Sequence, residues 1–368
     1  MTKKISPKST GETVGTILSY SIFVLWMLIT IIPLVWMLYS SFKSNEELTR
    51  DIYALPYDLL HNSDDTYIVI APSLNVIPDY DIKNDNRERL IIESTTISPT
   101  RRLMVHFLLK EDLPADLASR LPGDPLIINE LPKSMQRKIH WKTIWFNYRS
   151  AWERGELAGK FVNSIIYAGI STFMIVILGS MIAFAISKMQ FKKISMAVMG
   201  IIGLGYLISI NSVIIPLFLM LSSVGLTDTH LGIILVYAAF GMPLSVLLST
   251  QFMRGLPSSL IESAYIDGAS VLRTFISIII PMTVPVIITI SIISALGIWN
   301  EFLLVLVLAS SDFTKSLPVG VFSFSSLTST QLGWQLAALV IATIPVMALY
   351  FAFNQQLTKG VVAGAIKG

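Results

Sequence analysis

The sequence predicts an all-α polytopic membrane protein: six transmembrane helices, with an extracytoplasmic β-rich (α+β) insertion between the first two. Three observations predict it. Of the 368 residues, 53% are hydrophobic and 14% charged, against about 25% charged in an ordinary soluble domain. A soluble core of this length cannot bury that much apolar surface, so lipid is the solvent for most of the chain. Apolar runs of spanning length recur six times, and one stretch, residues 41–160, breaks the pattern with frequent charges, Pro, Asn and Asp. The chain has no cysteine, which excludes disulfides, zinc–thiolate sites and thiol catalysis. Its histidines, His61, His106, His140 and His230, form no metal-spaced pair.

The first run extends from about Val14 to Leu38, behind a short polar start bearing Lys3, Lys4 and Lys8. It is too long for a signal-peptide core and no small-residue cleavage site closes it. It reads as an uncleaved first span, kinked near its end by Pro33. Residues 1–40 therefore form a terminus and a span, and 41–160 a separate module. In that module TYIVIAPSLNVI, RLIIESTTI and RRLMVHFLLK are β-favouring runs, separated by turn clusters PDYDIKNDN and LPGDP. NYRSAWERGEL, Asn147–Leu157, predicts an amphipathic helix leading back to the bilayer. Residues 161–368 form the core, with further spans at about Phe161–Ile186, Ile194–Leu221, Leu231–Phe252, Phe275–Ala309 and Leu332–Phe353. Each has the roughly 20 residues that a hydrocarbon core of about 30 Å requires.

Lysine and arginine in the short loops set the orientation. SKMQFKKIS carries Lys188, Lys192 and Lys193; SSVGLTDTH carries none; the next loop carries Arg254 and Arg273; the one after it only Lys315. Both termini are then cytoplasmic, 41–160 is outside, and the polar stretch 254–285 is inside.

That stretch, RGLPSSLIESAYIDGASVLRTFISIIIPMTVP, predicts a compact knob. Leu256-Pro257-Ser258 marks a helix start with Ser258 as a cap. A helix from Ser259 would place Leu260, Ala264 and Tyr265 near one side with Ile261 beside them. Gly268 would end it in a left-handed turn, and a second helix would run from about Ser270 to Ile280. Within the spans, Asn300 and Glu301 are the most expensive residues to hold in lipid. They either line a pathway or hydrogen-bond a neighbouring helix. Asn211 beside Pro216 presents the same choice. Tyr206, Asn211, Tyr237 and Trp299 place aromatic rings and a side-chain amide within the spans.

Glu262-Ser263-Ala264-x-x-Asp267-Gly268-Ala269, followed by Phe275, Ile278, Pro281 and Pro285, resembles the EAA loop of ABC-transporter permeases, with Ser263 where that family usually has Ala. Other segments make the chain similar to the binding-protein-dependent sugar importers, of the maltose-permease G-subunit type. These are Ser41 to Glu47 after the first span, Asn163-Ser164, Trp299-Asn300-Glu301-Phe302, and a tail with Gln355, Gly360, Gly364, Lys367 and Gly368. The resemblance covers nearly all of 14–50 and 141–368 and fails for about 61–140. It implies a bacterial cytoplasmic-membrane subunit without enzymatic activity. Two permeases form the pathway, two ATPase subunits carry ATP and Mg and receive the coupling helix of the loop, and an extracytoplasmic solute-binding protein delivers sugar. Glu262, Ser263, Ala264, Asp267, Gly268, Ala269 and Pro281 would then serve coupling. Asn211, Tyr237, Trp299, Asn300 and Glu301 would serve the pathway, and Gln355, Gly360 and Lys367 would touch the ATPase. No cofactor, metal or nucleic acid is expected on this chain, which lacks a phosphate-binding G-x-x-x-x-G-K-[ST] loop. An importer of another solute and an ion-coupled secondary transporter stay open, although the latter would want paired intramembrane carboxylates. For 61–140 position alone suggests an accessory to docking or gating.

Overall fold

A computed structural model describes residues 10–43, 45–56, 67–71, 92–97, 102–109, 115–189, 192–325 and 331–365. These divide into two units, one of residues 1–151 with 325–340, the other of 152–324 with 341–368.

In the first unit α1 (Thr10–Ser40) is apolar on every side. The most apolar stretch of its spanning part, Gly15–Ser40, buries none of its residues against the rest of the chain, as expected of a helix whose surroundings are lipid; Ser40 at its end is buried. Past its end comes α2 (Asn45–Arg50). Four strands follow: β1 (Tyr67–Ala71), β2 (Ile92–Ile97), β3 (Arg102–Leu109) and β4 (Pro125–Ile127). They make one sheet in the order β2-β3-β1-β4. β1 runs parallel to β3, pairing Tyr67 with Val105; β2–β3 and β1–β4 are antiparallel. Alternation sends Ile68 and Ile70 to one face of β1. There they meet Leu126, Ile128, Leu131 and Ile139, the last from α3 (Lys133–Ile144). The predicted turn LPGDP is present, with Gly123 at φ +93° and Asp124 accepting from the Leu121 amide; the cluster PDYDIKNDN lies outside the described residues. The predicted amphipathic helix is α4 (Phe146–Arg154).

The second unit is built on α5 (Leu157–Lys188), α8 (His230–Arg254) and α11 (Ile280–Asn300). Between them lie α6 (Lys192–Leu207), α7 (Ile214–Ser223), α9 (Ser259–Ile266) and α10 (Val271–Thr274). After α11 come α12 (Leu303–Leu308), α13 (Leu317–Phe322) and α14 (Leu332–Ala365), whose first turns belong to the other unit. Helices in lipid gain no hydrophobic drive to associate and rely on close approach and hydrogen bonds. The α5–α8 contact shows both. Gly179 leaves room for Ser245, whose side chain a β-carbon there would strike, and Ser245 Oγ donates to the Ile175 carbonyl at 3.1 Å.

Among the described residues five helices are long and apolar enough to cross a membrane: α1, α5, α8, α10–α11 and α14. The chain is a mostly helical, polytopic membrane protein. The continuous third span predicted over Ile194–Leu221 is instead two shorter helices, α6 and α7, separated by one 3-10 turn at Ile210–Ser212. Ser209, Asn211 and Ser212 interrupt the apolar run, and Pro216 falls in the first turn of α7, where its missing N–H has no intrahelical partner to lose. The run Phe275–Ala309 is likewise divided. A π-turn occupies Phe275–Ile279, and the chain is extended at Glu301, ψ 133°. Because Pro281 cannot donate, the ladder is already broken there, and the Ile280 amide reaches back to the Phe275 carbonyl. Four of the five long helices contain a proline: Pro33, Pro243, Pro285 and Pro345. α5 contains none.

Candidate functional site

The 254–285 stretch folds as helix, glycine turn, short helix, π-turn. Gly268, at φ +77°, ends α9 in paired reverse bonds: its amide donates to the Tyr265 carbonyl at 3.1 Å and that of Ala269 to the Ala264 carbonyl at 2.9 Å. Only a residue at ease in the left-handed region closes this turn without strain. Ser270 is extended, and its Oγ accepts from the Arg273 amide, starting α10. Ser258 is itself helical and its side chain caps nothing, unlike the predicted role. The second helix is also shorter than predicted, giving way to the π-turn at Phe275.

One side of the knob is buried. Ile261 packs with Phe275 and Ile279 against Ala183 and Phe184 of α5 and Met253 of α8, and Ala264 is buried as well. Each large apolar side chain so removed from water stabilises by about 2 kcal/mol. Lys188 Nζ donates to the Leu256 carbonyl at 2.7 Å, tying the knob to the end of α5. The other side is open. Glu262, Ser263 and Asp267 are exposed. Leu260 and Tyr265, predicted to share a side with Ala264, are exposed as well, alongside Ile266 at 86% and Leu272 at 61%. Next to this face an open pocket of about 1010 Å³ is lined by Lys188, Met196, Met199, Arg254, Glu262 and Tyr265 among others. Pro281 sits in the first turn of α11, behind the π-turn.

The polar residues of the spans separate into two groups. Tyr237 is buried, and its hydroxyl donates to Glu301 Oε2 at 2.9 Å. Glu301 Oε1 accepts from the Leu304 amide at 2.9 Å, so the carboxylate bridges α8 and the start of α12. Trp299 is buried, donates to the Ala342 carbonyl at 3.2 Å and meets Phe161 edge-on at 5.6 Å. Asn300 is exposed and bonds back to the Leu296 carbonyl of its own helix. Asn211 and Tyr206 are exposed and are not joined to that group. In the tail α14 continues through Gln355 and Gly360 to Ala365; Lys367 lies outside the described residues.

A further polar centre was not singled out in the sequence. Asp228, left-handed at φ 54°, accepts from the Ser310 and Ser311 amides at 3.0 and 3.1 Å, from Ser311 Oγ and from Thr314 Oγ1. The Thr314 hydroxyl first, then the Ser311 amide and hydroxyl and the Ser310 amide, hold its carboxyl below the usual range against an opposing push from burial. α5 grips the same 309–316 loop. Asn163 donates to the Phe313 and Lys315 carbonyls at 2.7 and 3.0 Å, Tyr167 to the Thr314 carbonyl at 2.7 Å, and Ser164 accepts from the Leu317 amide. Asn163-Ser164 was visible as a motif. The signal for Asp228 was the T-D-T run before an apolar helix, where Thr229 caps α8.

The family described as binding-protein-dependent transport system inner membrane component matches residues 159–362. The chain belongs to that family. It is a multi-pass component of an ABC transport system, and relatives of this kind are permeases, not enzymes. Over 247 residues this permease is 31% identical to the melibiose/raffinose/stachyose import permease protein MelC of Bacillus subtilis, covering 65% of the chain and 89% of MelC. It is 31% identical to the trehalose transport system permease protein SugB of Mycobacterium tuberculosis over 63% of the chain and 85% of SugB. Its fold is shared with a bacterial ABC transporter involved in the import of the acidic polysaccharide alginate. There the TM-score is 0.63 at 16% identity, covering 95% of this chain and 99% of that one.

Proposed function

We propose that this permease is one of two that enclose the path of an ATP-driven, binding-protein-dependent importer of oligosaccharides, and that an ATPase subunit seats on its 254–285 knob. The observation that carries the proposal is the asymmetry of that knob. Its inner side is fixed by Phe184, Met253 and Phe275, while Ile266 and Leu272 stand out in water beside Glu262 and Asp267. A rigid apolar projection rimmed by charge is suited to a partner's cleft. Glu262, Ser263 and Asp267 contact that partner. Ala264, Gly268, Ala269 and Pro281 shape the projection, and Gln355, Gly360 and Lys367 of the tail lie against the same partner. ATP and Mg belong to the ATPase.

Lys188, Arg254 and Arg273 flank the knob, which favours the cytoplasmic side for it and for both termini, with 41–160 outside. The five long helices are joined by a sixth crossing made of α6 and α7 together. Along the path Tyr237 and Glu301 form a linked pair, with Trp299 buried against Phe161 and Asn211 and Asn300 exposed towards the second permease. The sugar assignment is supported by the printed substrates of MelC and SugB. The test is to co-express the chain with its neighbouring permease and ATPase, reconstitute them, and measure ATP hydrolysis with binding protein and candidate oligosaccharides. Hydrolysis that rises with one sugar is expected. Transport by this chain alone on an ion gradient, with no ATPase retained on purification, would overturn the proposal.

A further inference from the structure

The outward face of α3 carries chemistry that transport coupling does not use. Met135 and Ile139 turn to the sheet, where Ile139 packs with Ile68, Ile70 and Leu126. At about 100° per residue, positions two before and two after Ile139 lie on the far side of the helix. They are Arg137 and Trp141, and Lys133 lies one turn before Arg137. All three are exposed, Trp141 at 55%. From 133 to 151 the chain carries Lys133, Arg137, Lys138, Lys142 and Arg149 and no Asp or Glu.

The level of the Trp141 end of this face follows from how the adjoining α4 is held. Asn147 donates to the Ser41 and Lys43 carbonyls at 2.8 and 2.6 Å, and Tyr148 and Ser41 hydroxyls are 2.7 Å apart. Phe42 packs on Trp145 and Tyr148 with ring centres 5.7 and 5.2 Å away. These bonds clamp the start of α4 onto the point where α1 leaves its apolar span, at Ser40. Trp36 and Tyr39, in the last turn of α1, bond to the Ile52 and Tyr53 carbonyls at the same level. Tryptophan and tyrosine gather where hydrocarbon meets headgroups, and an exposed tryptophan between cations matches a negatively charged lipid surface. The basic run is not a sidedness signal, because a connection as long as 41–160 escapes the rule that governs short loops.

We propose that Lys133, Arg137 and Trp141 bind anionic phospholipid headgroups and hold the inserted module against the bilayer. The absence of cysteine from the chain makes the test direct. In nanodiscs of phosphatidylcholine with and without phosphatidylglycerol, a nitroxide on Trp141→Cys of the full chain should report headgroup depth by its accessibility to oxygen and to a water-soluble nickel chelate. Native mass spectrometry of the unlabelled chain should show phosphatidylglycerol retained several-fold over phosphatidylcholine, and Lys133→Gln with Arg137→Gln should remove that preference. A label that reads fully aqueous in both lipid compositions, as a face reserved for a protein partner would, overturns the proposal. So does a preference that survives the double substitution.

Discussion

Loop 254–285 and loop 309–316 are fastened to opposite ends of the same helix, the first through Phe184 and Lys188 of α5, the second through Asn163, Ser164 and Tyr167. From Asn163 to Phe184 is about 32 Å along a helix axis, the thickness of a bilayer's hydrocarbon core. The means of attachment differ. The knob is anchored by apolar packing and by the turn at Gly268, and its polar and apolar tips remain unused. The 309–316 loop is anchored by its polar groups, which Asp228, Asn163 and Tyr167 consume. A loop whose own backbone is satisfied from beneath is a fixed part of the permease; a loop that hides a few apolar residues and shows several others is built to meet something.

The strongest way to break this contrast is at the glycine turn. Gly268→Val places a β-branched residue in the left-handed region, at a cost of at least about 1–2 kcal/mol. Sugar-stimulated ATP hydrolysis should fall by at least about tenfold while membrane insertion is kept, and Gly268→Asn should retain most of the coupling. Full coupling in the valine variant would show that the turn is dispensable. A smaller loss is expected from Ile266→Asp. Its side chain touches little, so the thermal midpoint should move by the equivalent of less than about 0.5 kcal/mol. ATPase retention should nevertheless weaken several-fold, and equal retention in a pull-down would remove Ile266 from the contact.

The smallest effect concerns the other loop. Thr314 and Ser311 depress the Asp228 carboxyl. A depressed acid stabilises fully above its unfolded value, about 3.9, and loses that contribution as pH falls through the folded one. Hydrogen-exchange protection of 309–316 should therefore be flat from about pH 7 to 5 and decline below about pH 4. Asp228→Asn should lose most of that step, leaving the lesser one from Asp312, whose carboxyl the Lys315 hydrogen bond and then Lys160 hold low. A step unchanged in the asparagine variant would move the titration elsewhere.

Much of the knob was legible because it is local. Gly268 announces a left-handed turn, and apolar spacing announces which helix side can pack. Which of two neighbouring apolar residues is buried was not legible. Ile261 goes inward and Leu260 outward because Phe184, about 77 positions before it, and Met253, about 8 before it, supply the partner surface. The breaks at Ser209–Ser212 and at Glu301 were hidden by overall hydropathy. A run of apolar residues reports that lipid surrounds it, not that its backbone ladder is continuous. Asp228 was hidden for the opposite reason: a single acid in a short loop has no partner in the linear sequence, and Ser311 and Thr314 lie more than 80 positions away.

The absence of proline from α5 has a mechanical meaning. Pro33, Pro243, Pro285 and Pro345 each remove a rung from their helices, leaving places where those helices can flex. α5 loses none to a proline. Tilt applied beneath Phe184 would reach Asn163 without crossing a proline joint, so the chain contains one unjointed shaft among jointed ones.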